Sequence, residues 1–374
     1  MAIPSTHKVA VVVRKNGSYD FEVKTSNVPE LQPTDLLVRL SVSGVCGSDF
    51  HLAAGHSGPT RDILGHEGVG RVVKIGSAVP DSQAHIGDRV GIAWVRDICE
   101  KCIFCRTPGG EGHCLAMLCS GLKRDGTFAE YAIVPSRFIV RIPEGVSDHL
   151  VAPILCGGVT AYKALKVSGA SQEQWVAISG AGGGLGSLGV QYAKAMGFRV
   201  VAIDVGEAKR EYSLQMGADA FFDGGELDVS AVKDLTGGGA AAVIVTANAI
   251  QAYQAALDLV APYGSYVCVG LTPPGKQVGF DPITLVSKNI RLMGSAVGTR
   301  EDIWEAIEFV ARGQVKPKVE MAVLEDLPQI SKNFGQVSDE QMRGIPFSLL
   351  TDTNSRDQTL GKRVIRHCDE DISA

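Results

Sequence analysis

The sequence predicts an α/β fold in two parts: a β-rich domain that opens and closes the chain and, between its halves, a doubly wound parallel sheet. Two observations lead there. Apolar runs in the first hundred residues, such as 9–13 and 36–42, are short, strand-length and separated by polar turns. From Trp175 onward strand-like runs alternate with helical apolar spacing, the texture of βαβ units. The expected division is 1–157 for the β-rich domain, 158–297 for the parallel sheet, and 298–374 for a return to the first domain.

The totals fit this division. A chain of 374 residues, 45% hydrophobic and 21% charged, has enough apolar material for two cores. A net charge of −5 and an acidic pI of about 5.9 argue against a nucleic-acid or anionic-membrane partner, since no basic tract offsets them. No segment approaches the roughly 20 apolar residues a bilayer span needs, and the first eight residues hold no signal core, so a cytoplasmic protein is expected. Nine cysteines in such a chain read as metal ligands or buried thiols.

In the β-rich part, residues 36–42 alternate as a half-buried strand does, and 69–76 with 87–91 add two more strands. Cys99, Cys102, Cys105 and Cys114 follow, spaced to close a tetrahedron around one zinc with no open position. Such a site folds a loop that has little core of its own. The last interval contains Pro108-Gly109-Gly110, and His113 and Cys119 stand nearby as other donors.

The run 175–179 is a buried strand, followed by the glycine turn Gly180-Ala-Gly-Gly-Gly-Leu-Gly186, a helix over 187–196 and a strand over 200–204 ending in Asp204. Together these make a dinucleotide-binding βαβ unit. Gly180, Gly183, Gly184, Leu185 and Gly186 let backbone approach a pyrophosphate whose charge the helix N-terminus meets. Asp204 is placed to accept from ribose hydroxyls and to repel a 2′-phosphate, which favours NAD(H) over NADP. Lys209 and Arg210 on the next helix are positioned to soften that choice, or else belong to a solvated face. Further elements are read at 207–216, 242–245, 249–259, 266–271, 289–294 and 300–312, the last with Ile303, Ile307 and Val310 on one face.

A second metal constellation lies upstream. Cys46, His66 and Glu67 offer sulfur, nitrogen and oxygen suited to zinc, and Cys156 is the natural distant fourth donor. The motifs around them, Gly44-Val-Cys-Gly-Ser-Asp-Phe-His51, Gly65-His-Glu-Gly68 and Ala152-Pro-Ile-Leu-Cys-Gly157, resemble the zinc-dependent medium-chain alcohol dehydrogenases, closest to their yeast and fungal branch. The resemblance spans about residues 8–336. It implies a GroES-like catalytic domain beside a Rossmann domain, and two zinc ions per chain. The catalytic one is held by Cys46, His66 and Cys156, with Glu67 an occasional ligand. It also implies a proton relay from Ser48 to His51, Asp49 orienting a zinc-bound imidazole, and Thr160, Val269 and Leu271 near the nicotinamide. The expected activity is hydride transfer between NAD(H) and a primary or secondary alcohol or its carbonyl counterpart, in a homotetramer or dimer.

Several positions depart from the resemblance. Gly47 stands where relatives carry a His or Arg on the pyrophosphate, and Lys362 replaces an expected Arg. Ala53 and Ser57 fall where tryptophans narrow the ethanol-type pocket, while Trp94 keeps the third aromatic wall, so a substrate bulkier than acetaldehyde is expected, including a secondary-metabolite intermediate. Residues 337–360 read as an insertion delaying a closing strand at 361–366. The competing readings are a zinc-free quinone or enone reductase of the same fold and a silent cofactor-binding protein. Complete donor sets at both sites argue against them.

Overall fold

The computed structural model describes residues 2–335 and 362–367. Strands β1 (Thr6–Lys15) and β2 (Ser18–Asn27) form an antiparallel hairpin. It turns at Asn16 and Gly17, both at positive φ, as a tight two-residue turn demands. Next come β3 (Asp35–Val45), α1 (Gly47–Ala53), β4 (Gly68–Ile75), β5 (Arg89–Ile92) and β6 (Val95–Asp97). The one-turn α2 (Ile103–Arg106), β7 (Leu118–Cys119), β8 (Tyr131–Pro135), β9 (Val140–Arg141) and α3 (Asp148–Val151) complete this half.

Helix α4 (Gly157–Val167) leads into the alternating half: β10 (Trp175–Ser179), α5 (Gly184–Ala195), β11 (Arg199–Asp204), α6 (Glu207–Gln215), β12 (Ala220–Asp223) and α7 (Val229–Thr236). It continues through β13 (Ala240–Val245), α8 (Ile250–Leu257), β14 (Val260–Cys268), α9 (Pro282–Lys288) and β15 (Arg291–Gly294). The six strands pair in the order β12-β11-β10-β13-β14-β15, every pair parallel. This is a Rossmann sheet, whose strand order reverses beside β10, where such folds bind ligands. The sequence reading passes over β12 and α7. β12 is a short edge strand whose Phe221 and Phe222 are only half-buried, so its apolar signal is weak.

The chain then returns through α10 (Arg300–Ala311), β16 (Val319–Val323), α11 (Leu327–Gly335) and β17 (Lys362–Arg366). Helix α10 starts at a reciprocal cap between Thr299 and Asp302 and buries Ile303, Ile307 and Val310. β17 inserts between β16, to which it is parallel, and β3, to which it is antiparallel. The expected closing strand is thus present, whereas the reading of 337–360 as an insertion lies outside the described residues.

β3 corrects the half-buried reading of 36–42. It is the central strand of the sheet, pairing with β17, β4 and β8, and Leu36, Leu37, Val38 and Leu40 are all buried. One apolar cluster runs from Val42 and Val69 through Leu155 to Ile178, Tyr192 and Ile303, so the two halves share a core.

Candidate active site

β3 ends at Val45, and Cys46 is the N-cap of α1. Asp49, in the first turn of that helix and fully buried, ties three segments together. One carboxylate oxygen accepts the Cys46 N–H at 3.0 Å; the other accepts the Gly65 N–H at 3.1 Å and faces His66 Nδ1 at 2.8 Å. The Asp49 contact occupies Nδ1, so Nε2 of His66 is left for another partner. That Nε2 and Oε2 of Glu67 are buried without a hydrogen-bond partner. Trp94 stands edge-on to the His66 ring, centroids 5.2 Å apart.

The donor atoms of Cys46, His66, Glu67 and Cys156 lie within 4.8 Å of one another. The sulfurs of Cys46 and Cys156 are 3.8 Å apart. A tetrahedral site with Zn–S bonds of ~2.3 Å has sulfur edges of about 3.8 Å, so the set fits zinc. Two buried polar atoms left without partners, His66 Nε2 and Glu67 Oε2, support the same fit, because leaving them unsatisfied is costly. Cys156 thiol contact holds Cys46 well below the ordinary thiol range, with Lys362 and His66 pulling the same way.

Glu67 has a partner that sequence reasoning placed elsewhere. Lys362, at the start of β17, directs Nζ to Glu67 Oε1 at 2.6 Å, and its side chain passes Gly157. Burial pushes Glu67 up to about 7 against the pull of Lys362. Burial alone would lower Lys362, but the charges of Cys46 and Glu67 outweigh it and raise it. No local signal links two residues 295 positions apart.

Cys99, Cys102, Cys105 and Cys114 form the second cluster, with sulfur separations of 3.9 Å, 3.5 Å and 3.6 Å around it. These too approach the edges of a zinc–thiolate tetrahedron. N–H groups of Cys105 and Leu115 draw the Cys102 thiol down to about 6, which favours thiolate at neutral pH. Cys119 is instead buried in β7 and pushed up to about 11, and His113 is exposed. The lobe is anchored by Glu111, whose carboxylate takes the Arg300 backbone N–H at 3.0 Å and its guanidinium at 2.7 Å. Arg300 also covers the Phe138 ring at 4.1 Å.

The glycine turn follows β10. Gly180 has φ of +84°, and a Cβ at Gly186 would lie 2.0 Å from the Gly180 carbonyl, so neither position tolerates a side chain. Gly183 caps α5, which begins at Gly184, earlier than the helix read at 187–196. Its first N–H groups, Leu185 among them, have no partner within the helix, as at any helix N-terminus. Asp204 accepts from Gly182 N–H, from Val205 N–H and from Lys209 Nζ at 2.9 Å. Lys209 is therefore paired with Asp204, and Arg210 lies over Phe221.

Other expected site residues are placed as follows. Ser48 and His51 lie half-buried on α1, and Thr160, in the first turns of α4, bonds the Cys156 carbonyl at 2.6 Å. Val269 sits just past β14, bonded to Val245, whereas Leu271 is 63% exposed. Ala53 is not an open pocket wall. It is wholly buried in a core with Phe50, Leu52 and Leu64, because α1 packs that face inward, while Ser57 is exposed in the loop beyond.

Comparison with known proteins places this geometry in a family. An alcohol dehydrogenase GroES-like domain matches residues 32–144, and a zinc-binding dehydrogenase domain matches 184–312. The chain is 42% identical to an alcohol dehydrogenase of Geobacillus stearothermophilus, over 83% of this chain and 90% of that protein. It is 40% identical to an alcohol dehydrogenase of Schizosaccharomyces pombe, over 88% and 95%. Among solved structures, acetophenone reductase from Geotrichum candidum in complex with NAD superposes with a TM-score of 0.81 at 28% identity, covering 99% of this chain and all of that one. The alcohol dehydrogenase of Aeropyrum pernix superposes at 0.80 with 27% identity, covering 96% and 99%. The chain belongs to the zinc-binding medium-chain alcohol dehydrogenases, a family of NAD-dependent alcohol oxidoreductases.

Proposed function

We propose that this protein interconverts an alcohol and its aldehyde or ketone with NAD(H) in a zinc-dependent reaction, on substrates bulkier than ethanol. The observation that carries this reading is the cluster of four donors around Cys46, three of them buried and two left without a partner. A zinc held by Cys46, His66 and Cys156 supplies Lewis-acid polarisation of the substrate oxygen. Asp49 fixes the His66 tautomer through Nδ1, and Trp94 walls the site.

The N-terminus of α5 binds the pyrophosphate. Asp204 already uses three acceptor positions and keeps roughly one of four for a ribose hydroxyl. Ser48 and His51 carry the alcohol proton away during oxidation. Tryptophan is absent at position 57, and a solved relative named for acetophenone shares the fold; both support a bulky substrate. The cleft does not gain room at Ala53, so the bulky-substrate reading rests on Ser57 in the loop beyond α1. A zinc-free reductase is disfavoured, since it leaves His66 Nε2 and Glu67 Oε2 without a role.

Homo-oligomerisation is supported by edge strand β15, on which Leu292 is exposed, and by the exposed Ile283 and Val286 of α9. Among the described residues no single helix is long and apolar enough to cross a membrane.

The deciding experiment is the initial rate of NADH oxidation by zinc-loaded protein on aldehydes and ketones graded from acetaldehyde to cinnamaldehyde and acetophenone, with NADPH alongside. Higher kcat/KM for the bulky carbonyls with NADH is expected. Preference for acetaldehyde overturns the bulky-substrate reading, and full activity after zinc removal overturns the zinc-dependent one.

A further inference from the structure

The loop beyond α1 places a second imidazole on the first. Gly55 and Gly58, at φ of +79° and +81°, turn the chain back so that the His56 N–H donates to the His51 carbonyl at 3.2 Å. The rings then meet, Nδ1 to Nδ1 at 3.3 Å with centroids 5.5 Å apart. Arg14 of β1 braces the turn from outside, donating to the carbonyls of Ala53 at 2.8 Å and Leu52 at 3.0 Å and to Thr60. His51 is half-buried and His56 exposed, so the pair runs from the interior to solvent.

Two ring nitrogens at this distance bond only when one donates and the other accepts. A second added proton would put two imidazolium charges side by side, which like-charge repulsion opposes. Burial, then repulsion from His56, holds His51 below its ordinary value, against an upward pull from Cys46. Of the other charges near the pair, Arg14 is engaged with carbonyls, and Lys332 of α11, which packs on α1, faces Asp20 at 3.6 Å.

We propose that His56 is the outer station of the proton exit, a role that rests on the alcohol dehydrogenase reading above. His51 takes a proton on Nε2 while its Nδ1 proton passes to Nδ1 of His56, and His56 releases its Nε2 proton to water. The reverse sequence brings a proton inward during carbonyl reduction. The glycine turn exists in this chain to seat that second ring.

His56→Gln keeps a polar side chain but cannot relay a proton. In zinc-loaded protein it should lower kcat for alcohol oxidation about fivefold, well short of the 10²–10⁴ supplied by a group acting on the reacting atoms themselves. It should also shift the acidic limb of the pH–rate profile and make the rate depend on added imidazole, with the NADH dissociation constant unchanged. Independently of turnover, the His51 ring observed by NMR should titrate at higher pH in His56→Gln, because the repulsion is gone. An active wild type whose pH–rate profile, imidazole dependence and His51 titration are all unmoved by His56→Gln overturns the relay alone. A correctly folded, zinc-loaded wild type inactive on every alcohol overturns the enzyme reading, and the relay with it.

Discussion

Nζ of Lys362 lies 2.6 Å from Oε1 of Glu67, joining the closing strand to the loop that carries His66 in a pair with 10% and 0% exposure. Removing one partner of such a buried pair leaves the other charge uncompensated. Lys362→Met is expected to cost about 3 kcal/mol, read from denaturant unfolding, while Lys362→Arg should retain most of the stability. A Met variant as stable as wild type would show that Glu67 is carried neutral.

Gly44 faces the same carboxylate. A Cβ there would stand 1.9 Å from Glu67 Oε2. Gly44→Ala must push Glu67 aside, with overpacking expected to cost about 1–3 kcal/mol. Zinc content measured by atomic absorption should fall from the catalytic site and not from the cysteine lobe.

Gly47 has the opposite surroundings, with no atom within 4 Å of a built Cβ. Gly47→Arg should therefore fold normally and bind NADH about tenfold more tightly, the gain of one charge-assisted contact to a phosphate. An unchanged dissociation constant by fluorescence titration would remove position 47 from the cofactor site.

Glu111 holds Arg300 by backbone and guanidinium together, partly exposed to solvent. Glu111→Ala should cost about 1–2 kcal/mol and speed the loss of zinc from the cysteine lobe to a chelator. Equal release rates in variant and wild type would separate the lobe from helix α10.

His367 follows β17, donates its N–H to the Ser41 carbonyl, and is driven by burial from 6.5 down to about 4. The unfolded chain takes up this proton first as pH falls. The contribution is therefore intact above about pH 6.5 and disappears as pH drops toward 4, at roughly 1.4 kcal/mol per unit. His367→Leu should flatten the melting temperature over that window.

The sequence made both metal sets legible because thiolates at fixed short spacing, and donors embedded in Cys-x-x-Asp-x-His and Gly-His-Glu-Gly, carry chemistry independent of the fold. The parallel sheet was legible from alternation, except at β12, whose half-exposed edge gives little periodic signal. What stayed hidden depends on distant packing: Lys362 beside Glu67, Arg300 beside Glu111, and Ala53 turned into a core. His56 was hidden for another reason, since only positive φ at Gly55 folds it onto a neighbour five residues away.

The placement of β17 sets an order of biogenesis. It fills the gap between β16 and β3, yet it leaves the ribosome after every other described strand. Until then a nascent chain carries two unpaired strand edges and a metal loop without its ammonium partner, the kind of exposed edge on which aggregation begins. Completing the sheet beside β3 therefore waits on the last strand described.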